Sequence, residues 1–338
     1  MQVPNIVCQM LERMERPAFL VHDKTIVYCN QHAQNLHIQT DTPIYSLFDT
    51  GREAYDAFTE GCLQLQLQLQ DFTVTASVEK LEAYQLFLLE QDAVNTKLLT
   101  LAMAATQLRT PLSGLMSSME QNNPQTNRIL HQLHRTVSNM SDVMRYATME
   151  NPPLRIHELN AWLLELVEAV NTHTDSMHVR VTCKTCNTPV PCPIHEELLK
   201  RAILNLISNS IKAGSTQIDI QLLSHKDMVS ITLKDNGKGL KTQMQSELFS
   251  HFMREPNYED VQYGIGLGMS IVKAAARIHQ GTILTDSDTN GGLRVTLTLS
   301  NRQDEPLTLR SPSIFLDYLG GRDTILTELA DILPPSEY

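Results

Sequence analysis

The sequence predicts an α+β multidomain chain: a small α/β domain, an antiparallel helical hairpin, and a two-layer α/β sandwich over its 338 residues. Three observations predict it. Leucines alternate with glutamines from Leu63 to Gln70. Apolar residues recur every three or four positions on both sides of the turn signal Asn122-Asn123-Pro124. After Asn151-Pro152-Pro153, helical and strand patterns alternate and are interrupted by glycine clusters. These patterns correspond to a half-buried strand, a helical hairpin and a layered α/β unit.

Residues 1–92 form the first domain. Pro17–Val21 and Thr25–Tyr28 read as short strands around a His22-Asp23-Lys24 turn, and Asn30 reads as the cap of a helical turn over Gln31–Leu36. The Leu63–Gln70 alternation places leucines on one face and glutamines on the other. Phe72–Ala76 and Tyr84–Leu89 continue the sheet. This succession of paired strands, helices and a three-strand meander resembles a PAS sensor domain.

Residues 93–150 are predicted helical. Val94, Leu98, Leu101, Ala105, Leu108, Leu112 and Leu115 make one apolar stripe, and Pro111 predicts a kink in it. Ile129, Leu133, Val137, Met140, Val143, Met144 and Ala147 make the second. Two helices cannot enclose a core, but two hairpins form a four-helix bundle, so a homodimer is predicted.

Residues 151–300 alternate helix and strand: Leu159–Thr172, His178–Cys183, Glu196–Ala213, Thr216–Leu223, Met228–Asp235, then Gly268–His279 and closing strands through Leu293–Leu299. Residues 301–338 carry only a short amphipathic stretch, Ile325–Leu333, expected to pack on the sandwich.

Composition narrows the function classes. A net charge of −11 argues against nucleic-acid partners, because phosphate backbones attract basic surfaces. No apolar run reaches membrane-spanning length and no signal-peptide pattern opens the chain, so a cytoplasmic protein with reduced cysteines is expected. Cys183, Cys186, Cys192 and His195 are ligand types suited to zinc. The alternative places Cys183 in a strand and Cys192 and His195 at the start of the next helix.

Four segments of the sandwich carry chemistry together. Asn205, Asn209 and Lys212 share one face of the helix Glu196–Ala213; carboxamide oxygens can coordinate magnesium and a lysine can meet phosphate. The strand Met228–Asp235 ends in Asp235-Asn236-Gly237-Lys238-Gly239, a carboxylate able to accept from an adenine amino group beside glycines that admit a flat base. Leu248–Arg254, with Phe252, has aromatics that would anchor a lid. Gly264-Ile265-Gly266-Leu267-Gly268 opens onto a helix, and glycine N–H groups with a helix N-terminus favour phosphate. No Gly-Lys-Ser/Thr follows, so this is not a Walker loop.

In this order and spacing the segments resemble the N, G1, F and G2 boxes of the GHKL-type ATPase domain shared by histidine kinases, gyrase, Hsp90 and MutL, with Gly291-Gly292-Leu293 as the last glycine box. The Gly-x-Gly-Leu-Gly-x-x-Ile-Val-Lys run through Lys273 and the upstream Leu108-Arg109-Thr110-Pro111-Leu112 resemble sensor histidine kinases in particular. The resemblance implies ATP and magnesium as cofactors. Asn209 would hold magnesium, with Asn205 and Lys212 near the phosphates. Asp235, Gly237 and Gly239 would read adenine, and Gly264, Gly266, Leu267 and Gly268 would form the hinge and cradle. Ser210 and Ala213 depart from the usual alanine and aromatic residue.

The resemblance also implies a response-regulator receiver domain as partner. It exposes a larger departure: Thr106 stands at the phosphate-accepting histidine and Gln107 at its acidic neighbour. A threonine hydroxyl has a very high pKa and a carboxamide is no useful base, so standard autophosphorylation is not expected. Thr110 is retained; in the family the equivalent threonine positions water against the regulator's aspartyl phosphate. His131 and His134 read as bundle or surface histidines. The homodimer prediction is checked by sedimentation at micromolar concentration; a strictly monomeric chain would contradict it.

Overall fold

The computed structural model describes residues 3–14, 16–48, 51–69, 72–81, 83–89, 104–109, 111–115, 123–147, 153–239, 267–287, 291–302 and 323–338. The first unit contains α1 (Asn5–Glu12), β1 (Ala18–His22), β2 (Thr25–Cys29), α2 (Gln31–Asn35), α3 (Arg52–Asp56), β3 (Cys62–Leu69), β4 (Phe72–Leu81) and β5 (Tyr84–Leu89). Its strands run in the order β2-β1-β5-β4-β3, all pairs antiparallel. Asn30 caps α2 as predicted, its Oδ1 accepting from the Ala33 N–H at 2.9 Å. The same buried side chain accepts from Ala18 N–H and donates to the Leu11 and Arg16 carbonyls, tying α1 to the sheet.

Helix α1 is absent from the sequence expectation. It lays Leu11 against Leu20, Tyr84 and Leu88, while Phe19, Leu65 and Phe87 face the opposite core. The strict leucine-in, glutamine-out reading also needs correction. Gln64 is buried and donates to Ser77 Oγ, because β3 is not an edge strand. Its first residues pair with β11 (Ile283–Ser287) on the far side, Leu63 opposite Leu284.

That pairing makes one ten-stranded sheet, continuing through β12 (Leu293–Ser300), β10 (Met228–Asp235), β9 (Gln217–His225) and β7 (Arg180–Lys184). Only β7 and β9 are parallel. Along β10, buried and half-buried residues alternate, so one face of this half receives helices and the other is wetter. The covering helices are α5 (Leu159–Thr174), α6 (Glu196–Lys212) and α7 (Leu267–Ile278), as the two-layer expectation requires. A separate ladder pairs β6 (Arg155–Glu158) with β8 (Pro191–Ile194). The sequence expectation had put Cys192 at a helix start; Cys192 lies in β8, and His195 caps α6.

Residues 104–109 and 111–115 are helical, and α4 runs Pro124–Ala147. Pro124 sits in the first turn, where its missing N–H is harmless. The buried face of α4 is not the predicted apolar stripe. It carries His131, His134, Arg135, Ser138, Asn139 and Asp142, whereas Ile129 and Leu133 are 51% and 49% exposed. The buried face packs against α7 and against α8 (Thr324–Glu328) in the same chain. The stretch Ile325–Leu333 therefore docks on α4 and α6 with Ile325, Leu329 and Leu333 buried. No described helix is long and apolar enough to cross a membrane.

His279 closes α7 beneath the sheet. Its Nε2 accepts from the His195 N–H at 2.9 Å, so Nδ1 carries the proton and donates to the Ala275 carbonyl at 2.7 Å. Burial pushes its pKa from 6.5 down to about 4. The unfolded chain binds the extra proton, so this contribution is intact above the ordinary pKa and is lost as pH falls from about 6.5 towards 4. Denaturant titrations should find the protein roughly 2 kcal/mol less stable near pH 5 than near pH 7.5 from this group, and His279→Gln should flatten that slope.

Candidate functional site

Helix α6 starts where His195 Nδ1 accepts from the Leu198 N–H at 3.3 Å. Asn205, Asn209 and Lys212 share one face, as their spacing predicts. Asn209 Nδ2 lies 3.4 Å from Met269 Sδ in the first turn of α7, which leaves its carboxamide oxygen as the atom a magnesium ion would need. Gly268 lets α7 approach α6: a Cβ there would stand 2.5 Å from Asn205 Oδ1. Leu267 beside it belongs to the core.

Asp235 ends β10 and is buried. Its Oδ1 accepts from the Gly237 and Leu293 N–H groups at 2.8 and 3.2 Å. Its Oδ2 accepts from Ser210 Oγ at 2.9 Å. An ionised carboxylate has about four acceptor sites, so Oδ2 keeps capacity for an amino donor. Ser210, a departure from the family pattern, thus steadies this carboxylate. The glycines are obligatory. Gly239 has φ +64 and packs on Gly292, and at Gly292, φ +90, a Cβ would meet the Asp235 carbonyl oxygen at 2.0 Å.

The described residues bring together Asn205, Asn209, Lys212, Asp235, Gly237, Gly239, Leu267 and Gly268. Phe252, Gly264, Gly266 and Thr110 lie outside the described residues. Thr106 and Gln107 are exposed on the helical residues 104–109. Cys183, Cys186 and Cys192 are free thiols; the Sγ of Cys186 meets the Leu222 carbonyl and that of Cys192 the Ser300 carbonyl. With His195 spent as a cap, these four residues do not form a zinc cluster, and no group of three His, Cys, Asp or Glu suited to a metal occurs among the described residues.

A buried charge cluster beside the site has no counterpart in the sequence reading. Arg201 donates to Asp142 Oδ2 and Asn139 Oδ1, both at 2.6 Å, and to Glu328 Oε1 at 2.7 Å. Burial alone would depress its pKa; Glu328 and Asp142 outweigh that and hold it above the ordinary arginine value. Arg135 reaches Glu328 at 3.2 Å, Asp331 at 2.6 Å and Asn205 Oδ1 at 2.8 Å. Asn205 Nδ2 donates to Glu328 Oε2 at 3.0 Å, and Lys212 Nζ lies 2.5 Å from Asp331 Oδ2. Burial would raise the Asp331 pKa, but Arg135 and Lys212 lower it below the usual carboxylate value. Arg109, from the degenerate motif, lies 3.5 Å from Asp142. A signal existed: Arg128, Arg135 and Asp142 recur every seven residues, a polar helical stripe.

Residues 194–303 match the family described as histidine kinase-, DNA gyrase B- and HSP90-like ATPase. This region is similar to the ATPase domains of histidine kinases, gyrase B and HSP90. The heme sensor protein HssS of Staphylococcus saprophyticus is 35% identical over 106 residues, 31% of this chain and 22% of that protein. The sensor histidine kinase RppB of Synechocystis is 27% identical over 216 residues, 59% of this chain and 48% of its own length. The chain spans between 18% and 48% of the curated relatives it matches, including the sensor histidine kinase YvrG of Bacillus subtilis. Full-length ShkA, solved with AMPPNP, superposes with a TM-score of 0.50 at 16% identity, covering 60% of this chain and 46% of that one, which is a likeness of fold.

The ATPase domain is thus clamped to α4 by the charge cluster. Glu328→Gln leaves Arg135 and Arg201 short of buried counter-charge, and urea unfolding should report a loss of about 3 kcal/mol.

Proposed function

We propose that this chain is a histidine-kinase-like signalling protein that binds Mg-ATP in its ATPase domain and acts on a partner, a response-regulator receiver domain, with Thr106 bypassed as acceptor. The carrying observation is the Asp235 carboxylate, held by Gly237, Leu293 and Ser210 at the end of β10 beside the Asn205–Asn209–Lys212 face. A carboxylate fixed among glycines can accept a hydrogen bond from the exocyclic amine of adenine while the glycines admit the flat base. Asn209 supplies an oxygen for magnesium, and Lys212 a positive charge for phosphate. The magnesium ion, when bound, would neutralise phosphate charge during phosphoryl transfer.

Transfer of the γ-phosphoryl group to a side chain breaks its bond to ADP and requires the nucleophile to lose a proton. Gln107 cannot take that proton, so Thr106 is a poor acceptor even though it is exposed. A second reading, a regulator phosphatase or an ATP-gated scaffold, draws on the same exposure. Thr106 and Gln107 are exposed on the surface, and Arg109 pairs with Asp142 beneath. Under that reading Thr110 would position the hydrolytic water. The sheet order β2-β1-β5-β4-β3 supports a PAS-like sensor role for residues 1–92.

A homodimer through the hairpin is favoured by exposed Leu108, Leu115, Ile129 and Leu133. Calorimetry should detect Mg-ATP binding, and Asp235→Asn should weaken it by about tenfold or more, since a charge-assisted hydrogen bond contributes roughly 1.5–3 kcal/mol. Radiolabelled ATP should leave no acid-labile label on the chain alone. Such a label would mark a phosphohistidine and overturn the loss of the standard autophosphorylation route, whereas acid-stable label at Thr106 would overturn its bypass.

A further inference from the structure

The segment Asp323–Tyr338 meets the nucleotide site at its phosphate end. Of the three polar residues that α6 offers there, two are engaged by this segment's carboxylates. Glu328 accepts from Asn205, and Asp331 pairs with Lys212. Asp331 Oδ2 also lies 2.6 Å from Arg135 NH1, so one oxygen is shared between two cations, as a phosphate oxygen would be. Arg135 in turn donates to Asn205 Oδ1, occupying the carboxamide from its other end.

The contact is built rather than incidental. Asp323 caps α8, its Oδ1 accepting from the Ile325 N–H at 2.7 Å. Ile325, Leu329 and Leu333 are buried. Arg128 donates to the Ala330 and Asp331 carbonyls, and Gln132 to the Ala330 carbonyl. His173 lies 3.1 Å from Glu337 and 3.6 Å from Asp323. The Tyr338 ring lies against His131. The segment is thus held along its length by α4 and α5, and Glu328 and Asp331 are delivered to α6.

Resting on the Mg-ATP reading above, we propose that Asp323–Tyr338 is an intramolecular competitor of the nucleotide phosphates, an autoinhibitory strap whose Glu328 and Asp331 stand in for phosphate charge on Asn205 and Lys212. Lys212 cannot serve Asp331 and a phosphate with full strength at once. A tethered carboxylate has an effective concentration far above that of a free one. The nucleotide therefore binds only the fraction of molecules in which the strap has let go, and its apparent affinity is reduced by that fraction. Because Arg135 and Arg128 belong to α4, whatever shifts α4 also loosens the strap. The helix thereby controls access to the site without touching the nucleotide.

The test is Mg-ATP calorimetry on the full chain, with two variants whose folding is checked by circular dichroism. Asp331→Asn keeps the shape and removes the charge on Lys212. Arg128→Ala weakens the strap from outside the nucleotide site. Both should tighten the Kd, by about tenfold if roughly one molecule in ten has a released strap. Amide exchange of residues 324–333 should accelerate at saturating Mg-ATP. Unchanged or weaker binding in both variants, with wild type still binding, overturns the strap and leaves the ATP reading standing. Retained protection of 324–333 in the nucleotide-bound protein overturns it as well. If wild type and both variants bind no nucleotide, the ATP reading falls and the strap with it.

Discussion

The arrangement of this molecule depends on one buried cation. Arg201 sits on α6, and a guanidinium withdrawn from water must find carboxylates or distort the fold. It finds Asp142 on α4 and Glu328 on α8. Those two pairings dictate that α4 and the segment Asp323–Tyr338 lie against α6. Arg135, Arg109, Lys212 and Asp331 then complete a charge cluster around the same point. Such clusters add little net stability over apolar packing, since desolvation opposes attraction. What they do supply is orientation: a displaced helix leaves a charge stranded.

The same cluster joins two regions with different chemistry. One side is the helical stretch around Thr106, Gln107 and Arg109. The other is the buried Asp235 carboxylate, held by the Gly237 and Leu293 N–H groups and by Ser210. Arg109 connects the first to Asp142, and Asp142 connects to Arg201 on α6. The stretch around Thr106 is therefore coupled to the ATPase-like domain through the Arg109–Asp142–Arg201 ion pairs. Retention of Arg109 is explained by this ion pair, independently of any phosphate transfer.

Elements whose signal is local were legible. Strand β10 has the expected bounds Met228–Asp235, and α6, expected over Glu196–Ala213, ends one residue earlier at Lys212. The resemblance to the ATPase domain was readable because its motifs lie in short runs of neighbouring residues, as Asp235 and Gly237 do. Other features were hidden for definite reasons. The β6–β8 ladder is four residues long and includes Pro191 and Pro193, which suppress any strand pattern. Helix α1 has an apolar face that went unread, although Leu11 completes a core. Gln64 looked outward because alternation cannot tell that a strand is flanked on both sides. Helix α4 was read by its apolar residues, whereas the chain buries the polar stripe and leaves Ile129 and Leu133 half-exposed.

By itself the sequence determined the periodic elements, the glycine positions and the polar row Asn205, Asn209 and Lys212 on one helix face. These follow from backbone sterics and from neighbours three or four residues apart. Only the tertiary structure decided what faces that row. Asp331 meets Lys212 across 119 residues of chain, and Glu328 meets Arg201 across 127. No local rule links such residues, because the pairing is chosen by the cost of burying charge in the folded molecule. That choice placed two carboxylates where phosphates were expected, and it changes an apparently ready nucleotide site into one that is already engaged.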